Sequence, residues 1–557
     1  MSGHDLVHRG TIWREAGPVV LSLGGIIVLG AVGLRAMLAA TDGRLVYPFD
    51  DTYIHMAIAR CLVNHGVWGV GPHEFAGCSS SPLWTLLVAG GFWLGGPRGW
   101  LPLLFSALAA IGLVVLADRE LRRAGAGAGL RLAALTAITV LAPLPVLLAI
   151  GMEHVLHALL SVAMVALCAR TLRAADGAEP RVGLAVVAAL LVATRYEGLF
   201  LAVVLAVVLV IGQRRAAAAV VACASAVPAI AYAVFSVAHG GFILPNSVWM
   251  KAMPTRQVYH LLQSGPLTRQ FWEDGAALMG GQAGRQLLTS PHLLATMAAL
   301  VAAVVLTWRT SGRARLLASA VMVTMLLHLQ YARTVRLHRY EGYLVVLGLF
   351  TAALVIAPAK ARTQRARVVA GLLGLFVLYA LHEAGNTFRL LPRAARNVHD
   401  QQYQMARFVG RFYPGAAVAL NDIGAVSYFA DIQCLDIWGM ASQEIARSRL
   451  TRTRTAELLA GVARRRGVRI AIVCDEWLAF YGGEQSGWTR VGRWTITANF
   501  VRASDAVCFY ACSPAEVPRL ASCLRAFAPE LPPGDTQHVV LSERTPDATA
   551  PESAAGH

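Results

Sequence analysis

Two adjacent carboxylates follow the first long apolar segment and are the first candidates for chemistry. Asp50 and Asp51 stand in the stretch YPFDDTY at 47–53. Ile54 and Ile58 begin an apolar pattern at helical spacing, which predicts a short amphipathic helix after the acids. Either aspartate is suited to capping that helix, because Asp is a favoured N-cap residue. Either is equally suited to general-base catalysis, since a positioned carboxylate can remove a proton from an attacking hydroxyl.

A second group of residues is basic and lies where basic residues are unusual. The segment 331–340, YARTVRLHRY, contains Arg333, Arg336, His338 and Arg339. The topology given below puts it outside, against the tendency of arginine to face the cytoplasm. Because arginine forks bind phosphate oxygens well, the segment predicts a phosphate site at the membrane surface. Snorkelling to lipid headgroups, or a salt bridge to Glu341, is the alternative.

Three weaker signals lie on the predicted outer side, one in the second outer loop and two near outer helix ends. Lys251, one of only two lysines in the chain, stands beside a Trp and a Met. As a point charge it suits a phosphate, although an ordinary solvated lysine explains it equally well. The pairs Glu153–His154 and Arg195–Glu197 are the other two signals. Isolated ionisable residues at helix ends are often merely interfacial, so each signal is weak by itself.

The composition is that of a membrane protein. Of 557 residues, 56% are hydrophobic and 15% charged, and the mean hydropathy is +0.54. Such values exclude an ordinary soluble enzyme. The formal net charge is +17, but the basic residues cluster between apolar runs, which indicates topology and not a nucleic-acid partner. Nine cysteines without close metal-ligand spacing argue against a zinc site.

Apolar runs near the length that crosses a bilayer, about 20 residues, define the predicted membrane topology. The runs cover 18–40, 100–118, 131–150, 153–172, 181–194, 197–212, 216–238, 292–308, 315–331, 341–358 and 367–384. Basic residues before the first run place the N-terminus in the cytoplasm. The apolar stretch 82–95 is interpreted as an interfacial or re-entrant helix, because a crossing there would reverse the charge pattern. The break at 194–198 is either an outer turn or a kink in one longer helix.

The predicted domains follow from the change in composition near residue 385. A transmembrane catalytic module covers 1–385, with outer loops at 41–99 and 239–291. An extracytoplasmic α/β domain covers 386–531, with strands predicted at 416–420, 468–473 and 507–511 and a helix at 456–466. The tail 532–557, rich in Pro, Ser, Thr, Ala and acids, is predicted to be disordered. We expect a multi-pass protein of the cytoplasmic (inner) membrane whose active site and C-terminal domain face the periplasm or exterior.

Several segments together resemble the GT-C membrane glycosyltransferases. FDDTYIHMAIARCLVNHG at 49–66, followed by SSSPLWTLL at 79–87, is similar to the opening outer loop of that superfamily. The likeness points to the bacterial group related to cell-wall arabinofuranosyltransferases and to the glycosyltransferase 39-like enzymes. Further pieces fit the same pattern in order: GMEH at 151–154, TRYEG at 194–198, PNSVWMKA at 245–252, RLHRYEGYLV at 336–345 and NDIGAVSYFADIQCLDIWGM at 421–440.

The resemblance implies a polytopic α-helical membrane protein of GT-C type, with about 11 transmembrane helices and a C-terminal extracytoplasmic α/β domain. It implies an inverting transfer of a sugar from a polyprenyl-phosphate donor to an envelope glycan, lipid or protein at the outer face of the membrane. Asp50 or Asp51 would be the general base. Asp50 is favoured because it matches the first acid of related loops, and Asp51 would then orient the acceptor.

The other predicted site residues are assigned by the same resemblance. The donor phosphate would be held by Lys251, Arg333, Arg336, His338 and Arg339. Substrate would be bound by Tyr53, His55, Trp84, Glu153, His154, Arg195 and Glu197. Tyr196 stands where relatives often have proline, and His154 where a small polar residue is usual, so the sugar and the acceptor stay open. No cofactor is required; the aspartate pair could bind a divalent cation, but no further acids predict a dedicated metal site.

Three other functions compete with the glycosyltransferase interpretation. A lipid-linked glycan polymerase or ligase would share the outer basic site without relying on the aspartate pair. A lipid-linked sugar transporter would need ionisable residues near the midplane and internal repeats, and the sequence shows neither. A non-catalytic envelope scaffold leaves the outer arginines unexplained.

Overall fold

The computed structural model describes most of the chain. The described residues are 3–175, 177–251, 268–269, 273, 281–308, 312–332, 334–358, 364–451, 453–483, 485, 487–497, 499–501 and 504–539. Side chains are described for these residues except 3–14, 251, 364–377, 379 and 537–539.

The N-terminal two thirds of the chain is helical. Its helices are α1 (Gly3–Ala40), α2 (Asp50–His65), α3 (Pro82–Gly95), α4 (Leu101–Arg123), α5 (Ala128–Leu141), α6 (Leu144–Ile150), α7 (His154–Arg173), α8 (Arg181–Thr194), α9 (Gly198–Ile211), α10 (Arg215–Ala238), α11 (Asn246–Lys251), α12 (Gln282–Leu288), α13 (Pro291–Leu306), α14 (Gly312–Tyr331), α15 (Gly342–Ile356) and α16 (Gln364–Val398). Each apolar run predicted to span the membrane coincides with one of these helices or with the pair α5–α6.

The number of spans depends on how broken helices are counted. Five described helices are long and apolar enough to cross a membrane alone, and seven spans result if two bent pairs each count as one. The pair α5–α6 bends by 45° and the pair α12–α13 by 100°. Helices α3, α8, α9 and α15 are apolar but shorter than a full span. The helices are those of a polytopic membrane protein, and the count of about 11 stays a prediction.

Two local features bear on the predicted topology. Helix α3 exposes Trp93 and Leu94 by 76% and 80%, which suits the interfacial position predicted for 82–95. The break near residue 195 separates α8 from α9 as two helices, with Arg195 in an extended conformation at the end of α8. The backbone is therefore not helical at Arg195, and the side chain of this residue does not continue a face of α8.

The C-terminal part is built on a six-stranded mixed sheet. Its strands are β1 (Ala417–Leu420), β2 (Gln433–Asp436), β3 (Val468–Val473), β4 (Thr489–Thr495), β5 (Ala506–Ala511) and β6 (Thr536–Val539), in the order β2-β1-β3-β5-β4-β6. Strands β2, β1 and β3 are parallel, and β5, β4 and β6 continue antiparallel. The helices around it are α17 (Gln404–Phe412), α18 (Gly424–Phe429), α19 (Gln443–Leu450), α20 (Ala456–Arg465), α21 (Asp475–Leu478) and α22 (Val517–Phe527).

The segment that carries Asp50 and Asp51 shares one hydrophobic core with the C-terminal domain. Tyr53, Ile54 and Ile58 of α2 are buried in the same cluster as Val426 of α18 and Phe408 of α17. A second core lies among the membrane helices. Burial of apolar side chains across both parts stabilises them together, at about 25 cal/mol per Å² of apolar surface. The domain is therefore packed onto the loop that carries Asp50 and Asp51.

The predicted tail begins too early. Strand β6 lies within 532–557, the segment predicted to be disordered, and pairs with β4 from Gly492↔Val539 to Thr495↔Thr536. A turn with Gly534 at a φ of +95° leads into this strand. The polar composition suits an edge strand, which buries little apolar surface and therefore resembles a disordered segment in the sequence.

Candidate active site

Helix α2 places its two acids at its first turn, where they point to different partners. Phe49 occupies the N-cap position and makes no side-chain cap hydrogen bond, so neither acid is the N-cap residue of this helix. Asp50 instead accepts hydrogen bonds from two backbone N–H groups of α18. The Gly424 nitrogen lies 2.7 Å from Oδ2 and the Ala425 nitrogen 2.8 Å from Oδ1. Asp50 thus binds the N-terminal end of a helix in the C-terminal domain.

The approach of α18 to Asp50 requires a glycine at position 424. A Cβ there would lie 2.1 Å from the Asp50 carbonyl oxygen and 2.9 Å from the Ile54 nitrogen. Both distances are too short for any side chain, and both involve backbone atoms that cannot rotate away. Gly424 therefore permits the contact by which the C-terminal domain binds Asp50.

Asp51 pairs with an arginine from the basic segment. Arg339 Nη1 donates to Asp51 Oδ2 at 2.6 Å. The guanidinium lies 4.1 Å from the Phe49 ring centroid and 4.9 Å from the Tyr340 ring centroid. Burial disfavours the charged form of Arg339, but Tyr340 and Asp51 outweigh it and raise its pKa. The side chains are 13% and 17% exposed, so the pair remains within reach of a substrate.

A second arginine also lies near the Tyr340 ring, and it pairs with two glutamates. Arg195 Nη1 donates to Glu153 Oε1 and Nη2 to Glu197 Oε1, each at 2.6 Å. Its guanidinium lies 4.7 Å from the Tyr340 ring centroid. Burial disfavours the charge on Arg195, yet Glu197 and Glu153 raise its pKa above the usual value. Burial likewise raises the pKa of Glu197, but Arg195 outweighs it and lowers that pKa to about 2.

Two histidines complete this group. His55 Nε2 lies 3.6 Å from Glu153 Oε2, and its Nδ1 lies 2.8 Å from the Thr85 hydroxyl oxygen. His154 is buried at the start of α7, with its ring centroid 6.1 Å from that of Tyr340. Helices α2, α3 and α7 and the break after α8 thus contribute to one polar cluster, which is linked through Tyr340 to the Asp51–Arg339 pair.

The cluster retains buried nitrogens that lack a hydrogen-bond partner among the described residues. They are Arg339 Nε, Arg195 Nε and His154 Nε2. The arginine nitrogens are donors, and the histidine nitrogen is a donor in one of its tautomers. Buried donors are rarely left unsatisfied in folded proteins, and those at functional sites commonly await a ligand. An anion with several acceptor oxygens would satisfy them.

A cavity of about 270 Å³ adjoins this cluster. Its lining combines the polar residues Ser80, Arg195, Glu197 and Ser247 with a larger set of apolar and aromatic residues, among them Leu199, Phe200, Leu244, Val248, Tyr331 and Tyr340. It is walled by helices α9, α11 and α14, so its apolar side continues into the membrane part. A cavity with a charged end and an apolar body suits an amphipathic ligand.

The other predicted site residues lie elsewhere. Tyr53 is buried in the core, where its hydroxyl accepts a hydrogen bond from the Tyr47 nitrogen at 2.9 Å. Trp84 is equally buried and packs edge-on against Phe105. Arg336 is exposed, with its guanidinium 5.0 Å from the Phe500 ring centroid in the C-terminal domain. Their predicted substrate or phosphate contacts stay predictions and do not enter the function proposed below.

His338 faces away from the pair formed by its neighbour Arg339. It is buried against His292, the two ring centroids being 3.9 Å apart. Arg333 and the side chain of Lys251 lie outside the described residues, so their predicted roles stay predictions.

Sequence reasoning missed two contributors to the site. The Tyr340 ring centroid lies 4.7 Å from the Arg195 guanidinium and 4.9 Å from that of Arg339, yet the motif RLHRYEGYLV that contains Tyr340 predicts no role for it. Gly424 and its N–H group lie in the stretch NDIGAVSYF, which predicts a turn but not its partner. The only available signal was the glycine itself, because glycine allows a close backbone approach.

Comparison with known proteins identifies the fold. The family model of a domain of unknown function, DUF8728, matches residues 396–510. No curated protein sequence matches the chain. Among solved structures, ArnT from Cupriavidus metallidurans bound to undecaprenyl phosphate aligns with a TM-score of 0.53 at 12% identity, covering 90% of this chain and 99% of that one. The chain therefore has the fold of GT-C glycosyltransferases, and the resemblance found in the sequence is confirmed at the level of the fold.

Two further structures align with lower scores. An oligosaccharyltransferase from Archaeoglobus fulgidus gives a TM-score of 0.45 at 12% identity, covering 88% of this chain and 73% of that one. The mycobacterial arabinofuranosyltransferase AftD gives 0.43 at 19% identity, covering 88% of this chain and 41% of that one.

Proposed function

We propose that this protein is an inverting glycosyltransferase that moves a sugar from a polyprenyl-phosphate donor to an acceptor hydroxyl at the outer surface of the cytoplasmic membrane. The acceptor would be an envelope glycan, lipid or protein. The observation that carries the proposal is the Asp51–Arg339 pair, a carboxylate and a guanidinium 2.6 Å apart. The guanidinium contacts the ring of Tyr340, which lines a cavity with an apolar body. The pair is the combination of base and phosphate ligand that such a transfer requires.

The donor would enter through the cavity. Its apolar residues, such as Phe200 and Val248, suit an isoprenoid chain arriving from the bilayer. The phosphate would lie near Tyr340, because both guanidinium groups lie close to that ring. There it would accept hydrogen bonds from the Nε groups of Arg195 and Arg339, which have no partner among the described residues. The ArnT structure that shares the fold was solved with undecaprenyl phosphate, which supports a donor of this class. Two guanidinium groups in a partly dry site would bind a phosphate strongly.

Asp51 is better placed than Asp50 to act as the base, which reverses the preference drawn from the sequence. Each oxygen of Asp50 accepts a backbone N–H from the C-terminal domain, so its carboxylate is held in a structural contact. Asp51 pairs with Arg339, a residue whose second task is the phosphate. When the phosphate draws the guanidinium toward itself, the Asp51 carboxylate is left to accept a proton.

The transfer step is a single displacement. The acceptor oxygen bonds to C1 of the sugar as the bond from C1 to the phosphate oxygen breaks, and the phosphate leaves with that electron pair. The proton of the acceptor hydroxyl passes to Asp51. Arg339 and Arg195 stabilise the negative charge that develops on the phosphate. Attack from the face opposite the leaving group inverts the configuration at C1.

A direct assay tests the proposal. The purified protein in lipid would be given synthetic polyprenyl-phosphate pentoses and hexoses with a crude envelope acceptor fraction, and release of free polyprenyl phosphate would be followed. We expect turnover in the wild type and a loss of about 10²- to 10⁴-fold in Asp51→Asn, the usual contribution of a general base. Arg339→Gln should lose turnover and weaken donor binding, because it removes the phosphate ligand.

Matched controls come from another aspartate–arginine pair on the same chain. Asp475 and Arg490 form an ion pair at 2.5 Å in the C-terminal domain, and neither residue lines the candidate site. Asp475→Asn and Arg490→Gln should keep their turnover. Donor turnover that is indifferent to both Asp50→Asn and Asp51→Asn would reject the carboxylate mechanism and favour a lipid-linked glycan polymerase or ligase. Donor binding without turnover for any acceptor fraction would favour a transporter.

A further inference from the structure

Close to Arg339 in the chain lies a buried group of side chains that have no role in the proposed reaction. His292 stands in the first turn of α13, His338 in the turn Arg336–His338, and Glu341 at the N-cap of α15. All three are buried, and one ligand atom from each lies within 4.8 Å of the other two. His292 Nε2 and Glu341 Oε1 are 3.7 Å apart.

These side chains are poorly satisfied by the protein itself. Both ring nitrogens of His292 and the Nδ1 of His338 are buried with no hydrogen-bond partner among the described residues. The Glu341 carboxylate accepts one hydrogen bond, from the Val335 nitrogen at 3.2 Å.

The backbone is bent to bring His338 to this position. Leu337 and His338 both adopt positive φ, 61° and 56°. Such values are uncommon for residues other than glycine and cost free energy at each position. The conformation turns His338 toward His292, while the next residue, Arg339, reaches Asp51. A strained turn that directs three potential ligands to one point needs a compensating interaction there.

We propose that His292, His338 and Glu341 bind a divalent transition-metal cation, with zinc as the best fit. Two imidazoles and one carboxylate are a common zinc set, and a water would take the fourth position. In a tetrahedral site with ligand distances of about 2.0–2.1 Å, the ligand atoms would be about 3.3 Å apart. Small side-chain rotations would close the present separations to that value. Magnesium and calcium prefer all-oxygen sites, which this group does not offer.

The cation would act as a positioning element for the proposed active site. It would join the start of α13 to the start of α15 through the turn that carries Arg339. Because Arg339 directly follows His338, fixing His338 fixes the backbone from which the guanidinium reaches Asp51. The reacting groups would stay on Asp51 and Arg339, and the cation would not touch the substrate. The binding of the cation itself does not depend on the transferase function.

Metal content provides the test. The full-length protein, purified in lipid with a tag that contains no histidine, would be stripped with a chelator and then supplied with Zn²⁺ or Co²⁺. We expect one equivalent of zinc per chain by mass spectrometry of the metal, and the intense visible absorption that Co²⁺ shows in tetrahedral sites. Added Zn²⁺ should also raise the melting temperature of the stripped protein. His292→Ala and His338→Ala should each abolish the bound equivalent and the absorption band.

Two variants guard against a general loss of structure. Glu341→Gln keeps the size of the side chain and should weaken zinc binding at least 10-fold. His157→Gln changes another buried histidine, which packs on Tyr343 outside the group, and should keep the full equivalent. Stripped wild-type protein that takes up neither Zn²⁺ nor Co²⁺ would overturn the proposal. Uptake that persists in both histidine variants would overturn it as well, because the metal would then lie elsewhere.

Discussion

Replacing Asp50 with asparagine separates the structural acid from the catalytic one. The carboxylate accepts two backbone N–H groups of α18 at 2.7 and 2.8 Å, and the position is buried. Asparagine has one oxygen, so its amide N–H₂ would face one of those donors. The substitution removes a charge-assisted hydrogen bond and leaves one buried backbone N–H without an acceptor. Together these losses should lower the free energy of unfolding by about 2–4 kcal/mol. For a domain of this size, that corresponds to a melting temperature lowered by roughly 5–10 °C.

Thermal melting followed by tryptophan fluorescence and donor turnover would be measured on the same preparations. Asp50→Asn should melt early but retain turnover within about 10-fold below its melting temperature, since Asp51 is intact and a general base contributes about 10²–10⁴. Asp51→Asn should melt within a few degrees of the wild type, because a partly exposed ion pair contributes about 1 kcal/mol or less. Its turnover should nevertheless be lost.

The opposite pattern would refute this assignment. If Asp50→Asn melts like the wild type and has no turnover, while Asp51→Asn still releases polyprenyl phosphate, Asp50 is the base. The hydrogen bonds from Gly424 and Ala425 would then serve to orient a catalytic carboxylate and would not be only a structural contact.

Three further outcomes follow from the same structure. Gly424→Ala should lower the melting temperature at least as much as Asp50→Asn, because its Cβ would lie 2.1 Å from a backbone oxygen; an unchanged melt would contradict the close approach. Burial raises the pKa of Glu197 but Arg195 lowers it to about 2, so the stability from this pair is complete above about pH 4.5 and is lost as the pH falls toward 2. Melting between pH 3 and 8 should show that acid loss in the wild type and less of it in Glu197→Gln. Arg339→Lys keeps the charge but not the fork, and should reduce turnover about 10- to 100-fold; full activity would show that a point charge suffices.

The sequence predicts the membrane helices well because each is a long apolar run, a signal that needs no knowledge of partners. Strands β1, β3 and β5 were equally predictable, since they are buried on both faces and read as short apolar runs. Strands β2, β4 and β6 were not predicted. The first two mix buried and exposed residues, and β6 lies at an edge of the sheet.

The site was predictable as a set of residue types but not as a set of contacts. Asp51, Arg339, Arg195, Glu153 and Glu197 were all named from their positions, and the fold brings them to one place. The local pattern of α2 suggested that Asp50 or Asp51 caps that helix, whereas Asp50 binds the start of a helix 374 residues later in the chain. Local sequence preferences cannot predict a contact with so distant a segment. His338 was grouped with the arginines by charge, and only the positive φ values of the turn direct it to His292.

These contacts make the candidate active site a product of two parts of the chain. The C-terminal domain holds Asp50 and thereby fixes the first turn of α2, and the turn before α15 supplies Arg339 to the neighbouring Asp51. Helix α18 packs against α2 within a shared hydrophobic core, so movement of the domain would move both acids. Donor turnover is therefore expected to depend on the docking of the C-terminal domain onto α2. A chain cut after α16, at residue 398, should lose donor turnover even with every helix of the membrane part present, and activity in that truncated chain would show that α2 is held without Gly424.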